Sequence, residues 1–189
     1  MIPRLFDKDA RTFTNFGLCP LVDCIECMVT EVRNGEYTLS LEYPRDGQFA
    51  QELKPDRIIL ADPADDTAAE PFRITEVSFD MNGNIDVQAE HISYQLSFIP
   101  VSPFSAASLA NALTGFKTNA AESCPFTLTA DFTSQSSYAV PLPVSIRSYL
   151  GGTRGSILKN LNRLDIVKIE DGKRAEVLTK CVEVTGFIA

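Results

Sequence analysis

The sequence predicts a mainly β fold with short helices, of the α+β kind: an antiparallel β-barrel-like module followed by a smaller mixed module. Three observations carry that prediction. Tyr37, Leu39, Leu41 and Tyr43 fall at every second position with Thr38, Ser40 and Glu42 between them, which puts apolar and polar side chains on opposite faces of a strand. Asn34-Gly35 and Asn82-Gly83 each stand between alternating runs, and these residues tolerate the positive φ of a tight hairpin turn. Beyond Pro100 and Pro103 the apolar period changes to a helical one, with Leu109, Ala112, Leu113 and Phe116 on one face.

Taken in order, Leu5 and Phe6 read as a short strand. Phe13, Phe16, Leu18 and Leu21 continue through a Gly- and Pro-punctuated segment into the run Ile25 to Val32, the partner strand of the first hairpin. Pro44 ends the return strand because it has no N–H to donate. Arg45 to Asp56 reads as a loop in which Phe49 and Leu53 form one helical turn. Arg57 to Leu60 is a short strand with Ile58 and Leu60 on one face, and it is expected at a sheet edge. Ala61 to Pro71 is an acidic, proline-flanked surface loop. In the second hairpin, Phe72 and Ile74 followed by Val77 and Phe79 show an alternation interrupted by one residue, which predicts a β-bulge near Thr75-Glu76. Ile85, Val87 and Ala89 alternate on the return. Ile92, Tyr94, Leu96 and Phe98 then alternate with the opposite parity, as a strand after a bend at His91. Strands this numerous, joined by short turns, favour a small antiparallel barrel or sandwich.

The prolines set a boundary, giving residues 1–100 as the first module and 101–158 as the second, with 159–189 a further pair of strands. Ser105 is the expected N-cap of a helix over Ala106 to Phe116. Phe126 to Leu128 and Tyr138 to Leu142 read as strands, and Val144 to Leu150 as a short helix closed by Gly151. Asp165 to Ile169 and Ala175 to Val184 form the last strands, with Asp171-Gly172 as a hairpin signal between them.

With 44% apolar residues the chain can bury a core. A formal charge of −8 disfavours a grip on phosphate backbones, so no direct nucleic-acid specificity is expected. No apolar run approaches the roughly 20 residues that span a bilayer, so no membrane partner is expected either. The start of the chain, with charges on both sides of Leu5-Phe6, is unlike a signal peptide and points to synthesis in a cytoplasm. Five cysteines, an odd number, argue against a disulfide framework.

The residues with chemical potential have simpler readings. Cys24-Ile25-Glu26-Cys27 is a CxxC near Cys19, but a zinc site would want more ligands and a thioredoxin-like pair would want a strand-to-helix junction. At the entry of a strand, alternation sends Cys24 and Cys27 to opposite faces, and a structural role is expected. Cys124 and Cys181 read as isolated small apolar residues. His91 is the single histidine, so a Ser-His-Asp or Cys-His site would need it, with Ser93 conceivable as nucleophile; no nucleophile elbow accompanies it. Gly151 to Ser156 is glycine-rich but lacks the Lys of a phosphate-binding loop. Asp62, Asp65, Asp66 and Glu70 miss the spacing of a calcium loop. No catalytic, cofactor-binding or metal-binding residue is assigned, and no enzyme activity or cofactor is expected.

Four segments carry a resemblance: CMVTEVRNGEYTLSLEYP (Cys27 to Pro44), PFRITEV (Pro71 to Val77), AEHISYQL (Ala89 to Leu96) and SIRSYLGGTRGSIL (Ser145 to Leu158). In this order they resemble the N-terminal region of the phage minor structural protein family, the tail-tip or baseplate-hub proteins that in some members precede a tail-associated endopeptidase or lysin. The resemblance implies a non-enzymatic hub protein of a phage or prophage tail, a β-barrel-rich module that forms a homotrimer with an acidic inner surface, contacts other tail proteins and is assembled into the virion from the bacterial cytoplasm. The alternative it leaves is the N-terminal part of a tail-associated peptidoglycan hydrolase or endopeptidase. An oligosaccharide-binding barrel also fits the fold class but lacks a Trp platform. Lys159 to Ala189 departs from the family pattern, so a truncated prophage remnant, a frameshifted product and a shortened relative all stay open.

Overall fold

The computed structural model describes residues 2–31, 36–63, 68–128 and 137–149, and the backbone alone at 129, 150–151, 169–170, 173–174 and 183–185. The protein is mainly antiparallel β with few short helices. It divides into two compact units, Met1–Ile92 and Ser93–Ile188.

The first unit holds β1 (Arg4–Phe6), β2 (Cys19–Pro20), β3 (Glu26–Glu31), β4 (Tyr37–Tyr43), β5 (Ile58–Ala61), β6 (Glu70–Phe79) and β7 (Ile85–His91). They form one seven-stranded sheet, order β2-β1-β5-β6-β7-β4-β3, curled into a half-barrel. Register follows the alternation: Val29, Leu39, Ala89 and Ile74 lie in one row across four strands, and Cys27, Leu41, Val87 and Val77 in the next. Leu39, Leu41, Phe72, Ile74 and Val87 are buried in the resulting core, with Tyr37 half-buried at its margin. The expected bulge is there, between Ile74 and Glu76. It matters because Ile74 and Val77 are an odd number of residues apart, and only an inserted residue lets both face the same core. The second turn is as read: Gly83 takes a φ of 86°, and the Asp80 carboxylate accepts from the backbone N–H of Asn82 (2.8 Å) and Asn84 (2.7 Å). Asn34-Gly35, the first expected turn, lies outside the described residues; β3 and β4 on either side of it pair as a hairpin would, up to Glu31↔Tyr37.

Two expectations for this unit fail. β5 is not an edge: it lies between β1 and β6, and all four of its residues are buried. Ile59 and Ala61 join the core, while Ile58 pairs across with Phe6, whose ring meets Phe13 edge-on at 5.1 Å. The segment after β1 thus covers a second apolar face that a reading from one-sided alternation could not anticipate. The edges are β2 and β3 instead. Around Phe49, the expected helical turn is a tighter 3₁₀ turn over Ala50–Glu52; Leu53 is buried but Phe49 is partly exposed at a φ of 69°.

Only Leu21 to Ile25 joins the two edge strands. The Leu21 N–H donates to the Pro3 carbonyl beside β1 (2.8 Å), and the Ile25 N–H donates to Glu42 on β4 (3.0 Å). So short a link holds the two edges within roughly 20 Å of each other, which forces the sheet to curl.

In the second unit, β8 (Pro100–Val101), β9 (Phe104–Ala106), α1 (Leu109–Thr118), β10 (Thr127–Thr129), β11 (Tyr138–Val140), β12 (Val144–Ser145), α2 (Ile146–Gly151), β13 (Ile169–Glu170), β14 (Lys173–Arg174) and β15 (Glu183–Thr185) form two-stranded pieces. These are β10-β15, β11-β9, β12-β8 and β13-β14. The α1 face of Leu109, Ala112, Leu113 and Phe116 is buried as expected. Its cap is Ser108 rather than Ser105, because Phe104–Ala106 is drawn into pairing with β11. Gly115 permits this packing: a Cβ there would meet the Phe104 ring at 2.3 Å. α2 likewise begins at Ile146, after Val144 and Ser145 have paired with β8. Ile92–Phe98 is a 3₁₀ segment, not a strand. Ile92 and Leu96 are its buried residues, followed by buried Ile99 just beyond it, at helical spacing, while Phe98 is 81% exposed. Asp171-Gly172 lie outside the described residues, but the pairs flanking them, Ile169↔Arg174 and Glu170↔Lys173, are those of a two-residue hairpin. β15, from the stretch that departs from the family pattern, pairs with β10.

Candidate functional site

The link between the sheet edges brings the two cysteines of the CxxC together. The Cys24 N–H closes a turn onto the Leu21 carbonyl (3.3 Å), the chain bends at Ile25, and β3 starts only at Glu26. Strand parity therefore does not extend back to Cys24, and the expectation of opposite faces is wrong. Both side chains pack against the same core cluster. Both are half-buried, neither is in a disulfide, and the Cys24 sulfur also lies 3.2 Å from the Glu26 carbonyl, to which its S–H donates.

Electrostatics make the pair unequal. Hydrogen bonding with Cys27 is the main reason the Cys24 thiol is pulled below the ordinary thiol range, against the opposing effect of burial. The same bond, with burial, drives Cys27 far above that range. Cys19, in β2, is buried and its thiol is raised, mainly by burial. Cys124 is buried with its sulfur 3.9 Å from the Phe126 carbonyl. Cys181 lies outside the described residues.

His91 ends β7, 7% exposed, and is packed on three sides. Its ring stacks on Tyr37 at 4.4 Å, meets Phe72 edge-on at 5.5 Å, and its Nε2 lies 3.3 Å from a Glu70 carboxylate oxygen. Burial, and then the Glu70 and Glu31 charges, raise the Tyr37 hydroxyl. This is a packed aromatic box at the mouth of the core, with the imidazole taken up by its neighbours. In the second unit, the Ser93 hydroxyl accepts from Arg147 (3.4 Å), whose guanidinium lies 3.5 Å above the Tyr94 ring.

Of the remaining candidates, Gly151 closes α2 and residues 152–156 lie outside the described residues, as do Asp65 and Asp66. Among the described residues no group of three or more His, Cys, Asp or Glu could hold a metal ion. A hollow of about 300 Å³ over the 45–52 loop is lined by residues such as Arg45, Asp46, Phe49 and Glu52, with neither a histidine nor a thiol. No helix among the described residues is long and apolar enough to cross a membrane. The signal the sequence reading lacked was the turn ending at Cys24, which Asp23 supports by accepting from the Gln48 N–H at 2.7 Å.

Comparison with protein-family models, with curated proteins and with solved structures finds no match for this chain.

Proposed function

We propose that the chain is a non-enzymatic structural component of a phage or prophage tail tip, a hub-like protein that assembles as a homotrimer with other tail proteins. The observation that carries this reading is the position of the family-like segments. Cys27 to Pro44 covers most of β3 and all of β4, and Pro71 to Val77 and Ala89 to Leu96 supply parts of β6 and β7. Three of the four segments therefore fall on adjoining strands of one sheet, β6-β7-β4-β3, while the fourth, Ser145 to Leu158, begins at the end of β12 and takes in α2 of the second unit.

The open edge supports assembly by a physical route. In an antiparallel ladder alternate residues turn both backbone groups to the same neighbour. The Glu42 carbonyl accepts from Ile25, so Glu42, Ser40 and Thr38 turn their backbone groups to β3 and pair with Glu26, Met28 and Thr30, while Cys27, Val29 and Glu31 present theirs at its free side. Such an edge invites pairing. A head-to-tail contact that closes into a ring would cover such an edge in every copy.

Size-exclusion chromatography with light scattering tests the reading. A trimer is expected, reduced to monomer by Val29→Pro, which removes an outward N–H and no rung to β4. A monomer at tens of micromolar (roughly, where weak association would show) counts against the hub. Release of muropeptides by the purified chain, lost in His91→Ala, would replace it with the hydrolase alternative.

A further inference from the structure

We propose that the hollow over the 45–52 loop is a binding site for a neutral pyranose sugar, with the Phe49 ring as its platform. The backbone gives the first indication. Phe49 stands at φ 69° and ψ 11°, a left-handed conformation that bulky residues rarely adopt. Such a residue persists only where its surroundings over-determine it, and outliers of this kind gather at ligand sites. Here the loop is held on both sides of Phe49. The Tyr43 hydroxyl donates to the Gln48 carbonyl, the Gln48 N–H donates to Asp23 (2.7 Å), and the Glu52 N–H donates to the Phe49 carbonyl (2.8 Å). Arg57 ties down the far end through the Glu52 carboxylate and carbonyl. Gly47 lets the loop lie on Tyr43, since a Cβ there would come within 2.7 Å of that ring. The result is a braced loop that keeps an apolar ring at the surface, while Ala50 and Leu53 after it are buried.

The lining selects the ligand. A hollow of about 300 Å³ is at the small end for a ligand pocket and suits a single sugar ring. Beside Phe49 it is lined by Arg45, Asp46 and Gln51, all exposed, whose side chains make no hydrogen bond or ion pair with another described residue. The Arg45 guanidinium lies over the Phe79 ring (5.4 Å), which sets a second exposed aromatic next to the hollow. A guanidinium, a carboxylate and an amide offer donors and acceptors to neighbouring hydroxyls. An aromatic ring covers the apolar C–H face that a pyranose carries. Arg45 and Asp46 offset each other, and the Glu52 carboxylate is taken up by Arg57, so the lining favours neither an anion nor a cation. A wholly apolar ligand would strip water from Arg45 and Asp46 and give nothing back. The site belongs to the first unit alone and does not rest on the assembly proposed above.

The test records amide NMR spectra of the full chain titrated with methyl β-D-glucopyranoside, methyl β-D-galactopyranoside and N-acetyl-D-glucosamine. Glycerol, which has hydroxyls but no ring face, and inorganic phosphate serve as controls. At least one sugar should shift the amides of residues 45–52 and Phe79 saturably, with a Kd of about 1 mM, and neither control should. Phe49→Gly suits a φ of 69° and removes strain instead of adding it, so the loop keeps its shape. That variant should nevertheless weaken binding more than about tenfold, while Phe49→Tyr, which keeps a ring, should bind as wild type does. Asp46→Ala, at an exposed position, should weaken binding about tenfold through the lost acceptor. No saturable shift with any of the three sugars, binding unchanged in Phe49→Gly, or the same amides moved equally by glycerol or phosphate would overturn the proposal.

Discussion

The two units use strands of similar composition in different ways. In Met1–Ile92, short alternating runs join into one sheet whose strands share a single core, so each side chain in the rows through Leu39 and Leu41 is held by neighbours on several strands. In Ser93–Ile188, the described strands pair only two by two, and α1 is the element with a continuous buried face. The difference teaches that a strand's stability here depends on how many partners it finds. Three-residue β1 is anchored on both sides, by β2 and β5, while three-residue β11 pairs with β9 alone. A wide sheet distributes the cost of ordering each strand over many contacts; isolated ladders must lean on a helix.

The largest effect should come from emptying the shared core. Phe72→Ala removes a fully buried ring that Tyr37 and His91 both touch, and should cost about 3–5 kcal/mol by denaturant titration. Hydrogen exchange should show protection falling across β4 to β7 together. If only β6 loosened, the sheet would not be the cooperative element argued here.

Gly115→Ala probes the helix that carries the second unit. Its Cβ would strike the Phe104 ring, and destabilisation of about 1–3 kcal/mol is expected, with amides of α1 and β9 losing protection. An unchanged midpoint would mean that α1 does not rest closely on β9. A smaller effect, about 1 kcal/mol, is expected for Ser108→Ala, which removes the side-chain oxygen that caps Asn111 at 3.3 Å. Ser105→Ala, at the cap position read from the sequence, should be nearly silent by the same thermal melt.

The smallest effect is one of pH. Because the folded Tyr37 hydroxyl has a raised pKa, its contribution is fully present below the ordinary tyrosine value of about 10 and is lost as pH climbs through the raised one. Stability of wild type should fall with pH above about 10. Tyr37→Phe keeps the ring on His91 and should make that fall shallower, measured as the slope of unfolding free energy against pH. Equal slopes would remove Tyr37 from the account.

Much of the first unit was legible because alternation is a local property that survives folding. The β4 row, the second hairpin and the bulge follow from side chains two apart and from residues that tolerate a turn. The shared packing of Cys24 and Cys27 was not legible, since parity was counted across a bend that only the hydrogen bonds of Leu21, Asp23 and Ile25 establish. The Ile92–Phe98 segment misled for a related reason. Its apolar residues fit both a two-residue and a helical period, and burial of Ile92, Leu96 and Ile99 resolves the ambiguity.

By itself, then, the sequence determined the strands around both Asn-Gly turns, where the second hairpin turns and which face of α1 is buried, because those depend on the order of side chains along a few residues. The tertiary structure alone decided that β5 is central, that β2 and β3 are the edges, and that Cys24 and Cys27 pack against one core cluster. Those depend on which distant segments find each other. Many pairings of short strands satisfy the same local pattern, and the choice among them is made by the core they close together.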